Sequence, residues 1–339
     1  MNLEYVDICC GLAWGDEAKG KIVSHLSQDN SYDMVCRWAG GNNAGHTVYV
    51  KGNKYHTHLI PSGVFYGIKS IIGPDCVINV DDFLAEILYL ESHGFDTTLI
   101  KVSPKAHLVL PKHKLAESNP HLKEQGTTGK GIAPCYADKY LRKGMLAIES
   151  RRLTPYLWDE NLYGKVLCEG AQGFWLDINH GNYPYVTSSN TLPYGACSLG
   201  FPMSAVRYIF GACKIYDTRS GTDPDFPEEL LLESNFKKIG DLGEEYGTTT
   251  GRKRKVNYLN LDKLEQAVYL SGTTHLIISK LDILVKLGIY KLIYGGDIHS
   301  FNHMTEMQKY IQKVLLDKKQ NNLLKIYYSS SPKTVEGLN

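Results

Sequence analysis

Short apolar runs that end in glycine or another turn residue recur along this chain, and that pattern leaves it few ways to fold. Residues 5–10, 70–72, 98–102, 165–168, 210–216, 276–279 and 323–327 have strand length and are bounded by Gly, Pro or Asn. Between several of them lie stretches with apolar residues at helical spacing: 21–26, 80–92, 261–271 and 304–316. Strands alternating with helices predict an α/β fold on a mostly parallel central sheet. Asp81 and Asp82 are expected to cap the second helix, whose buried stripe is Phe83, Ile87 and Leu90. The 32 glycines concentrate at 11–20, 40–45, 126–131, 170–173 and 243–251, nearly all in loops that follow a strand-like run. Such loops are where α/β proteins hold ligands, and polar residues recur beside these glycines, which a purely structural turn does not require.

A length of 339 residues admits two domains at roughly 150 residues each. No Pro/Ser-rich linker, internal repeat or low-complexity tract divides the chain, so 1–339 reads as one large domain. Lys+Arg number 37 against 36 Asp+Glu, a net charge of +1 that gives no footing for a nucleic-acid partner. No apolar run approaches the roughly 18 residues of a membrane span. The start, MNLEYVDICC, has early acids and no basic n-region, unlike a signal peptide. Eight scattered cysteines with no C-x-x-C pair read as buried reduced thiols rather than a disulfide frame or metal site. A soluble, cytoplasmic protein is expected.

Two loops carry the first chemistry. Gly15 to Lys21, in Gly11-Leu-Ala-Trp-Gly15-Asp16-Glu17-Ala18-Lys19-Gly20-Lys21-Ile22, matches the G-x-x-x-x-G-K of a phosphate loop, but Ile22 stands where the magnesium-binding Ser or Thr belongs. A strand, a Gly-rich turn and a helix N-terminus still make an anion site, and Asp16 or Glu17 is left to hold a metal. That mismatch disfavours a standard kinase, ATPase or GTPase switch. In Trp38-Ala-Gly40-Gly41-Asn42-Asn43-Ala44-Gly45-His46-Thr47, His46 sits in a short Gly-Asn loop as a candidate proton donor or acceptor.

Four further blocks follow. Gln125-Gly-Thr127-Thr128-Gly129-Lys130-Gly131-Ile-Ala-Pro134 suits a phosphate or a ribose, with the basic stretch through Arg142 and Lys143 behind it; an exposed loop and charged helix is the alternative. Glu169-Gly-Ala-Gln172-Gly173 delivers a Gln into a Gly turn, followed by Tyr183-Pro-Tyr-Val-Thr187-Ser188-Ser189-Asn190. Tyr246-Gly-Thr248-Thr249-Thr250-Gly251-Arg252-Lys253-Arg254-Lys255 looks like a carboxylate or phosphate clamp. Lys280-Leu-Asp282 after an apolar strand resembles a guanine-reading element, because an Asp carboxylate accepts both N1–H and N2–H of guanine.

In this order the six blocks, with HLIPSGVF after the second, resemble adenylosuccinate synthetase over residues 5 to about 284, and Ser329-Ser330-Ser331-Pro332 resembles that family's second guanine-contacting loop. The resemblance implies a P-loop-like GTP-binding fold and a GTP- and Mg²⁺-dependent ligase that joins L-aspartate to C6 of a 6-oxopurine nucleotide through a 6-phosphoryl intermediate. Asp16 matches the residue that takes the N1 proton and ligates Mg²⁺, with the Gly45 carbonyl as its companion on the metal. His46 matches the general acid at the leaving GDP, and Lys19 and Gln172 complete the implied catalytic set. Gly15, Glu17, Ala18, Lys19, Gly20 and Lys21, with Gly45, His46 and Thr47, match the surroundings of the GTP phosphates; Lys280, Asp282, Ser329 and Ser331 match the guanine pocket. Asn43, Thr127, Thr128, Gln172 and Thr187 match contacts to the substrate nucleotide. Arg142 matches an arginine that reaches the neighbouring subunit's site, which implies a homodimer. Thr249, Thr250, Arg252 and Arg254 match the aspartate-binding loop.

The chain departs from the family pattern at Ala18, a usual Gly; Asn42, a usual His; Ala133, a usual Gly; and Arg219-Ser220-Gly221-Thr222-Asp223-Pro224 near the ribose. Its length resembles the short archaeal and phage-encoded forms, some of which act on dGMP. Phe174 after Gln172-Gly173 leans toward dGMP, whereas the intact Asp16 and the guanine pocket lean toward IMP with GTP as donor; IMP is the favoured substrate and dGMP the alternative. The reading from another class is a non-catalytic guanine-nucleotide binding protein, against which Asp16, His46, Thr249, Thr250 and Arg252 are all present.

Overall fold

The computed structural model describes residues 2–29, 31–120, 125–247, 251–317, 322–331, 333 and 335–338. Its strands, in chain order, are β1 (Leu3–Gly11), β2 (Met34–Gly40), β3 (His46–Val50), β4 (Asn53–Thr57), β5 (Lys69–Ile78), β6 (Ile100–Val102), β7 (His107–Leu108), β8 (Gly164–Glu169), β9 (Val206–Lys214), β10 (Tyr216–Arg219), β11 (Lys255–Asn260), β12 (His275–Ser279), β13 (Lys291–Tyr294), β14 (Asp297–Ser300) and β15 (Lys325–Ser329). Its α-helices are α1 (Lys19–Ser27), α2 (Val80–Ser92), α3 (Pro111–Ala116), α4 (Ile132–Tyr140), α5 (Ser234–Leu242), α6 (Leu261–Ser271), α7 (Leu281–Leu287) and α8 (Met304–Leu316).

The large sheet runs β15-β12-β9-β1-β8-β2-β5-β6, with β7 paired to β5. Every pairing in it is parallel, as the alternation of strand and helix requires. Its central strands are covered on both faces, which is why β1, β2 and β8 read as apolar runs without alternation. A smaller mixed sheet, β10-β11-β13-β14, and the β3-β4 hairpin lie outside it. Among the described residues no helix is long and apolar enough to cross a membrane.

Some sequence boundaries move. The run at 210–216 serves two sheets: Ile215 N–H donates to Ser279 O at 2.9 Å, and from Tyr216 onward the chain pairs antiparallel with β11. Thr97–Leu99 form a single 3-10 turn, with Asp96 accepting from Thr98 N–H, so the strand begins at Ile100. The cap of α2 is neither Asp81 nor Asp82. Asn79 stands one residue before the helix in extended backbone, and its Oδ1 accepts from Asp82 N–H at 3.0 Å. Phe83, Ile87 and Leu90 are buried as expected, and Glu86 is buried with them, accepting from the backbone N–H groups of His58, Leu59 and Ile60. Seven of the eight cysteines are buried and Cys197 is half-buried, all as free thiols; burial pushes the Cys10 thiol up to about 12.

The feature of the fold that matters for function is charge at the strand ends. Arg37 near the end of β2, Glu169 at the end of β8 and Lys214 at the end of β9 are buried at the carboxyl edge of the sheet. Thermal unfolding of two variants checks the helix cap: Asn79→Ala is expected to cost about 1 kcal/mol, whereas Asp81→Ala, whose partner Arg152 is exposed, shifts stability far less.

Candidate active site

The phosphate loop connects Gly11 of β1 to Lys19 of α1, and a buried carboxylate shapes it. Glu17 accepts from Ala13 N–H at 3.2 Å and Gly15 N–H at 2.7 Å, and pairs with Lys19 Nζ at 2.5 Å. A Cβ on Gly11 would lie 2.4 Å from Glu17 Oε2, and one on Gly173 would lie 2.2 Å from its Oε1. Both glycines are thus required by the carboxylate's close approach. Glu17 braces the loop from within; Asp16, at φ 61°, points outward and is the loop's exposed carboxylate. Ala18 takes φ 69°, a left-handed conformation that explains the usual Gly there. Lys21 turns away from the loop: its ammonium donates to Ser329 Oγ at 2.6 Å and Ser331 O at 2.8 Å, and burial lowers its pKa to about 8. The residues at 15–21 that are expected to surround the GTP phosphates therefore divide between the turn itself and the loop at 329–331.

His46 opens β3 against α1; a Cβ on Gly20 would lie 2.8 Å from His46 Cβ. Its Nδ1 meets Glu169 Oε1, and the Arg37 guanidinium lies 3.2 Å from the same nitrogen. Arg37 and Glu169 are register partners on β2 and β8, with Nη2 and Oε1 3.5 Å apart. Ser62, in the HLIPSGVF segment, gives its backbone N–H to Glu169 Oε2 at 2.7 Å and its hydroxyl to Oε1 at 3.0 Å. Burial and the neighbouring Arg37 push the His46 imidazole down to about 4. Burial acts to raise Glu169, but His46, Arg37 and the Ser62 N–H outweigh it and hold the carboxyl at about 2. With Arg37 as the permanent counter-charge, Glu169 is ionised and His46 neutral, donating from Nδ1–H and keeping Nε2 as its second functional atom.

Gln172 follows β8 at φ 55°; its Oε1 is buried without a partner among the described residues and lies 3.1 Å from where a Cβ on Gly40 would stand. Asn43 Oδ1 accepts from Gly41 N–H at 3.2 Å within the same Gly-Asn turn that carries Gly45. Thr47 Oγ1 pairs with His56 Nδ1 across the hairpin. Thr127 and Thr128 are half-buried, in a loop that approaches the 219–224 segment: a Cβ on Gly126 would be 3.4 Å from Gly221 Cα and from Thr222 N. Thr187 N–H donates to Leu176 O at 2.8 Å, which ties its segment to the Gln172 turn. Arg142 is exposed beyond α4, at φ 60°, with no polar side-chain partner among the described residues.

The clamp is described in part; Thr249 and Thr250 lie outside the described residues. Arg252 is exposed. Arg254 is buried and bridges two carboxylates, with Nη2 2.9 Å from Asp16 Oδ2 and Nη1 2.6 Å from Glu245 Oε2. Lys280 takes φ 70° before α7 and donates to Gly243 O at 2.6 Å, and Asp282 sits in the first turn, 3.5 Å from Lys286. The loops after β1, β2, β8 and β12 and the segment between α5 and β11 thus bring a Gly-rich turn, a histidine on a carboxylate, a buried amide, a run of cations and a Lys-x-Asp pair to one edge of the sheet.

The profile of the family described as adenylosuccinate synthetase matches residues 8–152 and 151–314. The chain belongs to the adenylosuccinate synthetase family. The enzyme of Desulforapulum autotrophicum is 37% identical over 85% of this chain and 80% of its own, and that of Bacteroides thetaiotaomicron 39% identical over 82% and 78%. These relatives are bacterial. The fully ligated adenylosuccinate synthetase of Plasmodium falciparum superposes with a TM-score of 0.81 at 28% identity, over 97% of this chain and 98% of that one. The fold is shared as well by the succinoaminodeoxyadenylate synthetase of cyanophage S-2L, solved with dGMP and dATP, at TM-score 0.75 and 20% identity over 98% and 94%. As a member of this family the chain is an enzyme, a ligase that forms a carbon–nitrogen bond.

Sequence reasoning passed over Arg37 and Glu245, and quoted Glu169 and Ser62 without giving them work. For Arg37 and Glu169 the signal available was an ionisable residue inside or closing an otherwise apolar strand, in MVCRWAG and KVLCE. The titration of His46 is measurable. Its folded pKa of about 4 lies below its ordinary 6.5, so its contribution to stability is present above pH 6.5 and is lost as pH falls toward 4. Buried Asp217, raised to about 7 chiefly by burial, acts with the opposite sign, so the native chain alone does not isolate the effect. Compared with His46→Gln, the native chain is expected to lose roughly 2 kcal/mol more between pH 6.5 and about pH 4.5, read by chemical denaturation at each pH.

Proposed function

We propose that this enzyme moves the γ-phosphoryl group of GTP onto O6 of IMP and then replaces it with the amino group of L-aspartate, giving adenylosuccinate, GDP and phosphate. The observation that carries the reading is the 2.9 Å ion pair between Asp16 and Arg254, which joins the phosphate loop to the clamp. Asp16 accepts the N1 proton of the purine, the O6–phosphorus bond forms as the bond to the GDP oxygen breaks, and the aspartate nitrogen then attacks C6 while phosphate leaves with the C6–O6 pair. His46 Nε2 faces the leaving β-phosphate; the approaching anion favours imidazolium, and Glu169 behind it stabilises the charge that forms. Lys19 and the N–H groups opening α1 hold the transferred group. Arg252 and Arg254, with Thr249 and Thr250, take the aspartate carboxylates. Lys280, Asp282, Ser329 and Ser331 take guanine, with Gln172, Asn43, Thr127, Thr128 and Thr187 on the IMP side.

A divalent metal fits. No cluster of three or more His, Cys, Asp or Glu side chains occurs among the described residues. One carboxylate, Asp16, and one carbonyl, Gly45, are a hard oxygen set suited to Mg²⁺ carried in on phosphates with most of its waters. Bound there, Mg²⁺ supplies neutralisation of the phosphate charge.

Asp16 Oδ2 is engaged by Arg254, which leaves Oδ1 to serve both the base and the metal. N1–H of IMP needs one acceptor, whereas guanine adds N2–H, so the pairing supports IMP over dGMP. Phosphate release from GTP with Mg²⁺ and L-aspartate, compared across IMP, dIMP, GMP and dGMP, tests it: turnover with IMP is expected, and turnover with dGMP but not IMP overturns the substrate assignment. GTP binding without phosphate release supports the non-catalytic alternative.

The unpartnered, exposed Arg142 supports a homodimer whose sites are completed across the interface. Mixing Arg142→Leu with Asp16→Ala subunits, each inactive alone, is expected to restore about a quarter of native activity through mixed dimers; no recovery argues against sharing. The free, buried thiols suit the cytoplasm, of a host cell for a phage-encoded chain.

A further inference from the structure

Glu245 is fully buried in the turn after α5, and four side chains from separate segments converge on it. Oε2 accepts from Arg254 Nη1 at 2.6 Å and from Lys214 Nζ at 3.0 Å; Oε1 accepts from Tyr216 OH at 2.7 Å, with Lys280 Nζ 3.7 Å away. Its backbone is tied to the same elements, with Glu245 N–H donating to Gly240 O and Glu245 O accepting from Arg254 N–H, both at 2.9 Å. Lys214, at the end of β9, also donates to Thr218 Oγ1 at 2.5 Å. Three cations thus share one interior carboxylate, and two of them belong to different substrate sites. A buried anion so enclosed is rigidly placed, because any displacement leaves a cation unpaired in a low-dielectric interior. Arg254 is the sharpest case. Its guanidinium is held between Asp16 and Glu245, so the position of the clamp arginine follows the position of Glu245, and Glu245 is also the charge that Lys280 faces.

We propose that Glu245 is a positioning residue that couples the guanine pocket to the aspartate clamp, so that donor guanine seated at Lys280 sets the geometry of Arg254 for L-aspartate. The inference rests on the assignment of those two sites made above. It gives the enzyme an ordered economy: the amino acid is gripped well only where the phosphoryl donor is already seated. Glu245 itself touches neither substrate, and its effect is expected in aspartate KM more than in kcat.

Steady-state kinetics on the full-length enzyme test this with Glu245→Gln, which keeps the volume and removes the charge, Lys280→Met, and the double variant. Glu245→Gln is expected to raise aspartate KM about tenfold or more, with kcat within about threefold of native. Lys280→Met raises aspartate KM as well as GTP KM in the native background, but leaves aspartate KM unchanged when Glu245 is already Gln. Additive effects on aspartate KM, or an unchanged aspartate KM in Glu245→Gln, overturn the coupling. If Glu245→Gln does not fold, Glu245→Asp keeps the charge and shortens its reach: raised aspartate KM with preserved kcat supports the role, and native KM removes it. Native enzyme whose phosphate release ignores L-aspartate defeats the functional reading itself, a result distinct from additivity.

Discussion

The buried contact between Arg37, Glu169 and His46 is the constraint on which the rest of the site depends. An ionised carboxylate in the interior of a parallel sheet is tolerated only with a partner held in place, and here register supplies it: Arg37 and Glu169 are neighbours across the β2–β8 ladder. Their alignment needs the whole parallel order of the central strands, because a one-residue slip would turn either side chain to the opposite face. Once paired, Glu169 fixes the imidazole of His46 through Nδ1 and the backbone of Ser62 through its N–H. A single charge pair thereby orients the His46 imidazole and anchors the segment that follows the β3–β4 hairpin.

The same device is used again along the same edge of the sheet. Glu17 gathers the phosphate turn around itself, and Glu245 gathers the clamp and the end of β9. Glu17 accepts within its own turn, whereas Glu169 and Glu245 accept from backbone N–H groups or side chains of several segments, so loops distant in sequence are held to a common geometry without relying on their own stiffness. The sheet provides rigid strand ends, and the buried carboxylates translate that rigidity into the loops of the candidate site.

Much of this was legible in the residues. Helices α2, α6 and α8 begin and end where apolar spacing placed them, and the runs at 5–10, 98–102, 165–168, 276–279 and 323–327 lie within two residues of β1, β6, β8, β12 and β15, whereas the run at 70–72 stops six residues short of the end of β5 and β9 opens four residues before 210. The Gly-rich turn at 11–20, the Gly-Asn loop and the Lys-x-Asp pair stand out in the sequence because each is contiguous. The capping of α2 was misplaced because two acids inside the first turn look like caps when Asn79, one residue earlier, does the work. The run at 210–216 reads as a single strand because nothing local announces that Ile215 crosses to a second sheet. The charge relays escaped for a related reason. Arg37 and Glu169 are 132 residues apart, and pairs of that separation leave no periodic trace in one chain.

Asp16, Ala18, Arg142, Gln172 and Lys280 all occupy left-handed backbone without being glycine. A residue there costs on the order of 1 kcal/mol, yet the conformation throws its side chain out of the direction that the preceding strand or helix would impose. The consequence is evolutionary. At such positions the residue that relieves strain most easily is glycine, which deletes the functional group, while most larger replacements keep the strain and change the chemistry. Mutation is thus left a narrow corridor of short polar residues, Asn and Asp foremost, and these positions are expected to drift within it or not at all. The backbone, as much as the reaction, limits what this site is able to become.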